Sequence, residues 1–149
     1  MMQLDNLYQE VILDHYKNPQ NKKLAADNDA QVHHINPSCG DEVTLGVKLE
    51  GDHIASINWE GVGCSISQAS TSIMSDLLTG KSIAEAGEIS EHFLNLMQSK
   101  GAEEGDPEIL EDAVAFAGVS KYPARIKCAL LGWMAFKDAS TQALGREEK

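Results

Sequence analysis

Hydrophobic positions along the chain follow two periods. Val43, Leu45, Val47 and Leu49 alternate with Thr44, Gly46, Lys48 and Glu50, the pattern of a strand with one buried face. Gly51-Asp52 signals a hairpin, and Ile54, Ser56 and Asn58 against Ala55, Ile57 and Trp59 form the return strand. Val32 to Ile35 supplies a shorter third strand. Elsewhere the period is helical. Leu4, Leu7, Tyr8, Val11 and His15 predict an amphipathic helix from about Asp5 to Tyr16, stopped at Asn18-Pro19. Asn21 to Asp29 is polar and reads as a loop. Ile66, Ala69, Ser70, Ile73 and Leu77 make a second helical stripe, with Gly80 as its stop. Ser82 to Lys100, with Ile83, Ile89, Phe93, Leu94 and Met97, predicts one broken helix or two short ones. Gly101 to Asp106 reads as an acidic surface loop, and Pro107 opens a helix from Glu108 to about Phe116, ended by Gly118. A last helix runs from near Pro123 to about Ala143, burying Ile126, Ala129, Leu130, Trp133 and Phe136, with a frayed tail from Gly145 to Lys149. Strands followed by helices predict one α+β domain over residues 1–149, a small three-stranded antiparallel sheet packed on one face by helices.

Composition narrows the function classes. At 149 residues the chain is long enough to bury a core. Its net charge of −11, from 12 Lys and Arg against 23 Asp and Glu, argues against binding nucleic acid or an anionic membrane. No apolar run approaches the roughly 20 residues of a spanning helix, and Met1 to Asp5 lacks the basic and apolar parts of a signal peptide. Three cysteines suit a disulfide framework poorly, which points to a reducing cytoplasm with thiols left for metal or chemistry.

Those thiols lie in distinctive settings. Asn36-Pro37-Ser38-Cys39-Gly40-Asp41 places a thiol and a carboxylate two residues apart in a tight turn. Cys64 closes the small-residue turn Gly61-Val62-Gly63-Cys64 just before a helix, and Cys128 follows Tyr122-Pro123 in the expected first turn of the last helix. Cys39, Asp41, Cys64 and Cys128 would make a tetrahedral site for a borderline-soft ion, zinc above all. Blander readings stand beside this one. Asp41 could cap its turn, Arg125 could be a solvated helix residue, and Trp59 and Trp133 read as core. His33 and His34 lie near Cys39 but are left outside the ligand set, as are His15, His53 and His92.

Taken together and in order, four stretches resemble the SufU type of the IscU-like iron–sulfur cluster assembly family. They are Leu7-Tyr8 with Asp14-His15-Tyr16-Lys17-Asn18-Pro19, the Asn36 to Asp41 turn, Gly61 to Ser67 with Ser70, and Tyr122 to Cys128. The resemblance implies a small antiparallel sheet packed by helices, in agreement with the periodicity. It also implies a zinc-dependent sulfurtransferase, which accepts persulfide sulfur from a SufS-type cysteine desulfurase and serves downstream iron–sulfur assembly proteins. The pyridoxal phosphate of that reaction belongs to the desulfurase, and a desulfurase histidine is implied to take the zinc position that Cys39 vacates. IscU-type scaffolds carry His directly before the last cysteine; here the residue is Lys127. The separation of 64 positions between Cys64 and Cys128 (128 − 64) matches an insertion found in the SufU type.

Within that reading Cys39, between Pro37 and Gly40, is the sulfur acceptor, and Cys64 and Cys128 hold the metal. Cys64 at a helix start gains thiolate character from the helix dipole. Arg125, three residues before Cys128, is expected to contact the partner or to orient Asp41. Two other classes remain open: a scaffold carrying a transient [2Fe–2S] cluster on the same ligands, and a structural zinc module without chemistry.

Overall fold

The computed structural model describes residues 2–38 and 40–147, with side chains over 9–38 and 40–145. The expected alternation builds the sheet. Strands β1 (Ala30–Asn36), β2 (Asp41–Glu50) and β3 (His53–Val62) pair antiparallel in the order β1-β2-β3. Val43, Leu45, Val47 and Leu49 of β2 are all buried, so a one-residue slip would send the whole set to solvent. Gly51 takes φ +65° in the hairpin, a conformation open to glycine without strain. The register shifts between Lys48 and Leu49, where Ala55 is skipped in the pairing. This bulge puts Ile54 on the buried side together with Ile57 and Trp59, which a strict alternation would have separated.

Helices cover the inner face of the sheet. Helix α1 spans Met2–Lys17, α2 Ser65–Leu78, α3 Ile83–Gln98, α4 Pro107–Leu110 and α5 Pro123–Glu147. Leu4, Leu7 and Tyr8 of the predicted α1 stripe have side chains outside the described residues; of its other members His15 is buried and Val11 half-buried, and Ile12, not in the predicted stripe, is buried beside them. Helix α5 packs on β1 and β2, while α2 packs between α5, α1 and β3. At their crossing the indole N–H of Trp133 donates to Ser70 Oγ at 3.0 Å, and Ser70 donates to the Ala129 carbonyl at 2.6 Å. Trp133 stacks on Phe93 of α3 with ring centroids 4.2 Å apart. No described helix is long and apolar enough to cross a membrane.

Three expectations change. The stretch from Ser82 to Lys100 is one unbroken helix, α3. Ser82 and Glu85 cap each other's backbone N–H groups, and Ala86, Ile89, Phe93, Leu96 and Met97 form a continuous buried stripe. The helix expected over 108–116 ends at Leu110, because Glu111 turns to φ +49°. A 3₁₀ helix then runs from Glu111 through Gly118 to Lys121. Finally, Cys128 is the sixth residue of α5 and so lies in its second turn.

Candidate metal centre

The site forms where the ends of β2 and β3 meet the start of α2 and the second turn of α5. Asn36 and Asp41 are the last pair of the β1–β2 ladder, and Glu42 pairs with Val62 across β3. This register carries the chain from Val62 through Gly63 to Cys64 directly past the side chain of Asp41. Cys64 then occupies the N-cap of α2, with extended backbone (φ −72°, ψ 166°). From the other side α5, pinned to α2 by the Trp133–Ser70 contact, brings in the buried Cys128.

Ligand atoms of Asp41, Cys64 and Cys128 all lie within 4.8 Å of one another. Two sulfurs on one tetrahedral ion at about 2.3 Å would stand roughly 3.8 Å apart, so small adjustments close the gap. Asp41 is fully buried. Its Oδ1 accepts the backbone N–H of Cys64 at 2.8 Å, and its Oδ2 lies 3.9 Å from Cys64 Sγ. Among the described residues it has no ion-pair partner. Among the described residues only the Cys64 amide and thiol meet this buried carboxylate, and a cation beside Oδ2 would offset its burial. Two thiols and a carboxylate form a donor set for zinc or an iron–sulfur unit, and suit magnesium or calcium poorly.

Cys64 has no side-chain capping bond. Its thiol is therefore free of the helix N–H groups and stands at the N-terminal end of α2, turned toward Asp41 Oδ2. The Cys128 thiol donates to the Ala124 carbonyl at 3.7 Å. Cys39, the fourth predicted ligand, lies outside the described residues; its neighbours Ser38 and Gly40 are turn residues beside Asp41. Arg125 is exposed on the first turn of α5 and, among the described residues, makes no hydrogen bond or ion pair with Asp41, which accepts the Cys64 amide. With Ser65, Lys121 and Tyr122 it lines a cleft of about 440 Å³ beside the site.

The histidines stay away from these ligands. His34 Nε2 donates to Asp138 Oδ2 at 2.9 Å and ties β1 to α5. That hydrogen bond, helped by one from Gln142, holds the Asp138 carboxyl below its ordinary range. His33 lies 3.6 Å from Glu42, and His15 pairs with Ser72 at 2.8 Å between α1 and α2. Sequence reasoning missed Gly63 and Ser67 as parts of the site. A Cβ on Gly63 would stand 2.3 Å from Asp41 Oδ1 and 2.7 Å from Ser67 Oγ. The repeated glycines before Cys64 were the available signal, but the partner they make room for lies on another strand.

The sequence matches the NifU-like N-terminal domain over residues 7–129. It is 48% identical over 134 residues to the zinc-dependent sulfurtransferase SufU of Bacillus subtilis strain 168, covering 90% of this chain and 89% of that one. It is 40% identical over 139 residues to the iron–sulfur cluster assembly scaffold protein IscU of Streptococcus pyogenes serotype M1, covering 93% and 86%. The crystal structure of FiSufU, a SUF-system protein of Fervidobacterium islandicum AW-1, superposes with a TM-score of 0.80 at 37% identity, over 87% of this chain and 93% of the other. By its sequence, its three-stranded sheet and the helices on it, the chain belongs to the family of the NifU-like N-terminal domain, alongside SufU and IscU proteins.

Proposed function

We propose that this chain is a zinc-dependent sulfur-transfer protein of iron–sulfur cluster assembly, acting in the cytoplasm with a SufS-type cysteine desulfurase. The observation that supports it most is the buried Asp41 carboxylate facing two thiols, a donor set suited to zinc. Cys39 would join Asp41, Cys64 and Cys128 as the fourth ligand. Bound zinc keeps thiolates available without changing redox state.

The protein's own residues carry the transfer. The Cys39 thiolate attacks the outer sulfur of the persulfide on the desulfurase. A new S–S bond forms on Cys39, the bond to the desulfurase cysteine breaks, and that cysteine leaves as a thiolate. Cys64 and Cys128 stay in place, held by the packed α2 and α5. Arg125, exposed at the rim of the cleft, is free to meet the partner.

Zinc content and desulfurase turnover, each measured with and without this protein, test the proposal. One zinc per chain and a raised turnover are expected; metal-free protein from zinc-replete cells would sink it. Mass spectrometry before reduction should find the added sulfur on Cys39. Sulfur on Cys64 or Cys128, with Cys39 unmodified, would overturn the assignment. Cys39→Ser should lose sulfur acceptance, and Arg125→Ala should weaken the partner complex while zinc content stays near normal.

The scaffold reading draws on the Streptococcus pyogenes relative, which carries the scaffold name. A brown protein from iron-replete cells, with visible absorbance, would favour it; a colourless zinc protein favours transfer. Lys127, exposed beside Cys128, stands against it, because an ammonium offers no ligand lone pair where a histidine would.

A further inference from the structure

The carboxylate of Asp41 is confined from several directions. Its Oδ1 takes the Cys64 N–H at 2.8 Å. The bare backbone of Gly63 lies over the same group: a Cβ there would come within 2.3 Å of Oδ1 and 2.9 Å of Cγ. Ser67 walls the far side of that space, 2.7 Å from the same Cβ position, and its hydroxyl is held by donating to the Cys64 carbonyl at 3.1 Å. Asp41 is 0% exposed and Ser67 2%, so neither side chain can swing into water to make room.

We propose that Gly63, the Cys64 amide and Ser67 form a seat that decides which oxygen of Asp41 a metal ion meets. The inference rests on the zinc reading of this site. Oδ1 is turned to the Cys64 N–H, and Oδ2 is the oxygen presented on the side of the Cys64 thiol. Gly63 is thus a positioning residue that acts through Asp41. A methyl group in its place would push the carboxylate away from the Cys64 amide and turn Oδ2 off the site.

The seat has a specific chemical consequence. In Asp41→Asn the single amide oxygen would be claimed by the Cys64 N–H. The –NH₂ group, which donates and does not ligate, would then face the metal. Were the side chain free to turn, the amide oxygen would ligate instead and much of the affinity would survive.

Zinc affinity, measured by competition with a chromophoric chelator, tests this on the full chain. Asp41→Asn should lose as much affinity as Asp41→Ala, although it is nearly the same shape as wild type. Gly63→Ala should lose about 10- to 100-fold, the range for groups that orient a ligand. In the Asp41→Ala background the same change should cost clearly less, the remainder coming from the strain of a Cβ at φ +155° and its contact with Ser67. Melts of the zinc-free proteins show whether Gly63→Ala folds; if it does not, the comparison of Asn with Ala at position 41 decides. Asp41→Asn binding zinc within about twofold of wild type would overturn the seat, as would a Gly63→Ala loss equally large without Asp41. Failure of wild type itself to bind zinc would strike the zinc reading instead, so the two failures are distinguishable.

Discussion

Helices α2 and α3 follow one another in the chain with 14 and 16 residues, and they are built on opposite plans. Helix α3 is stabilised locally. Ser82 Oγ accepts the Glu85 N–H, Glu85 accepts the Ser82 N–H, and one apolar face is buried while the other meets water. Helix α2 begins on Cys64, which makes no capping bond, and it is buried nearly all round. Its serines and threonines satisfy themselves inside the protein: Ser67 on the Cys64 carbonyl, Thr71 on that of Ser67, Ser75 on that of Ser72, and Ser70 across to α5. The difference shows where a ligand can be placed. At the head of α2 the position that would normally stabilise the helix has been given to a thiol, and the surrounding structure holds the helix in its place.

The largest effect that would sharpen this contrast is removal of the metal. Chelation should lower the melting temperature by about 8 °C, from about 2.7 kcal/mol of binding linkage at a hundredfold excess over Kd. A shift under about 1 °C in calorimetry would mean that the head of α2 needs no ion. Next comes Gly132→Ala, at the crossing of α5 with α2. A Cβ there would meet Thr71 Oγ1 at 2.3 Å and the Thr71 Cα at 3.1 Å, so denaturant unfolding should show a loss of about 1–3 kcal/mol. The two caps should then respond in opposite ways. Ser82→Ala should destabilise by about 1 kcal/mol. Cys64→Ser, in zinc-free protein, should gain a few tenths to about 1 kcal/mol as the new hydroxyl accepts the Ser67 N–H, while its zinc affinity falls. A loss of stability for zinc-free Cys64→Ser would break the argument that the thiol leaves the cap unfilled. Smallest is Gly87→Ala on the open face of α3, where a Cβ meets nothing within 4 Å; urea melts should show a gain of about 0.5–1 kcal/mol.

Much of this contrast was readable in the chain. Strict alternation from Val43 to Glu50 specifies a one-sided strand, and the stripes around Ile73 and Trp133 specify α2 and α5, because burial imposes the period. Three cysteines in turn or helix-start settings marked a metal site, and the structure brings two of them to Asp41. The bulge at Ala55 was not readable, since it depends on where β3 must turn to bury Ile54 together with Trp59. The continuity of α3 was hidden by Gly87, whose cost the Ser82–Glu85 box and the Phe93 stripe outweigh. The switch to a 3₁₀ helix at Glu111 is a choice of backbone conformation that no local period announces. Gly63 carries meaning only once the β2–β3 register has set it against Asp41.

The burial of α2 also governs how the molecule opens. Eleven of its fourteen residues are buried, so there is no solvent face from which the helix can peel. Its amides should exchange slowly, becoming accessible only when the surrounding β3 and α5 separate as well. Cys64 heads this unit and Cys128 belongs to its neighbour. Local openings elsewhere in the fold should therefore leave the two thiols facing each other, which hydrogen exchange of the α2 amides would check.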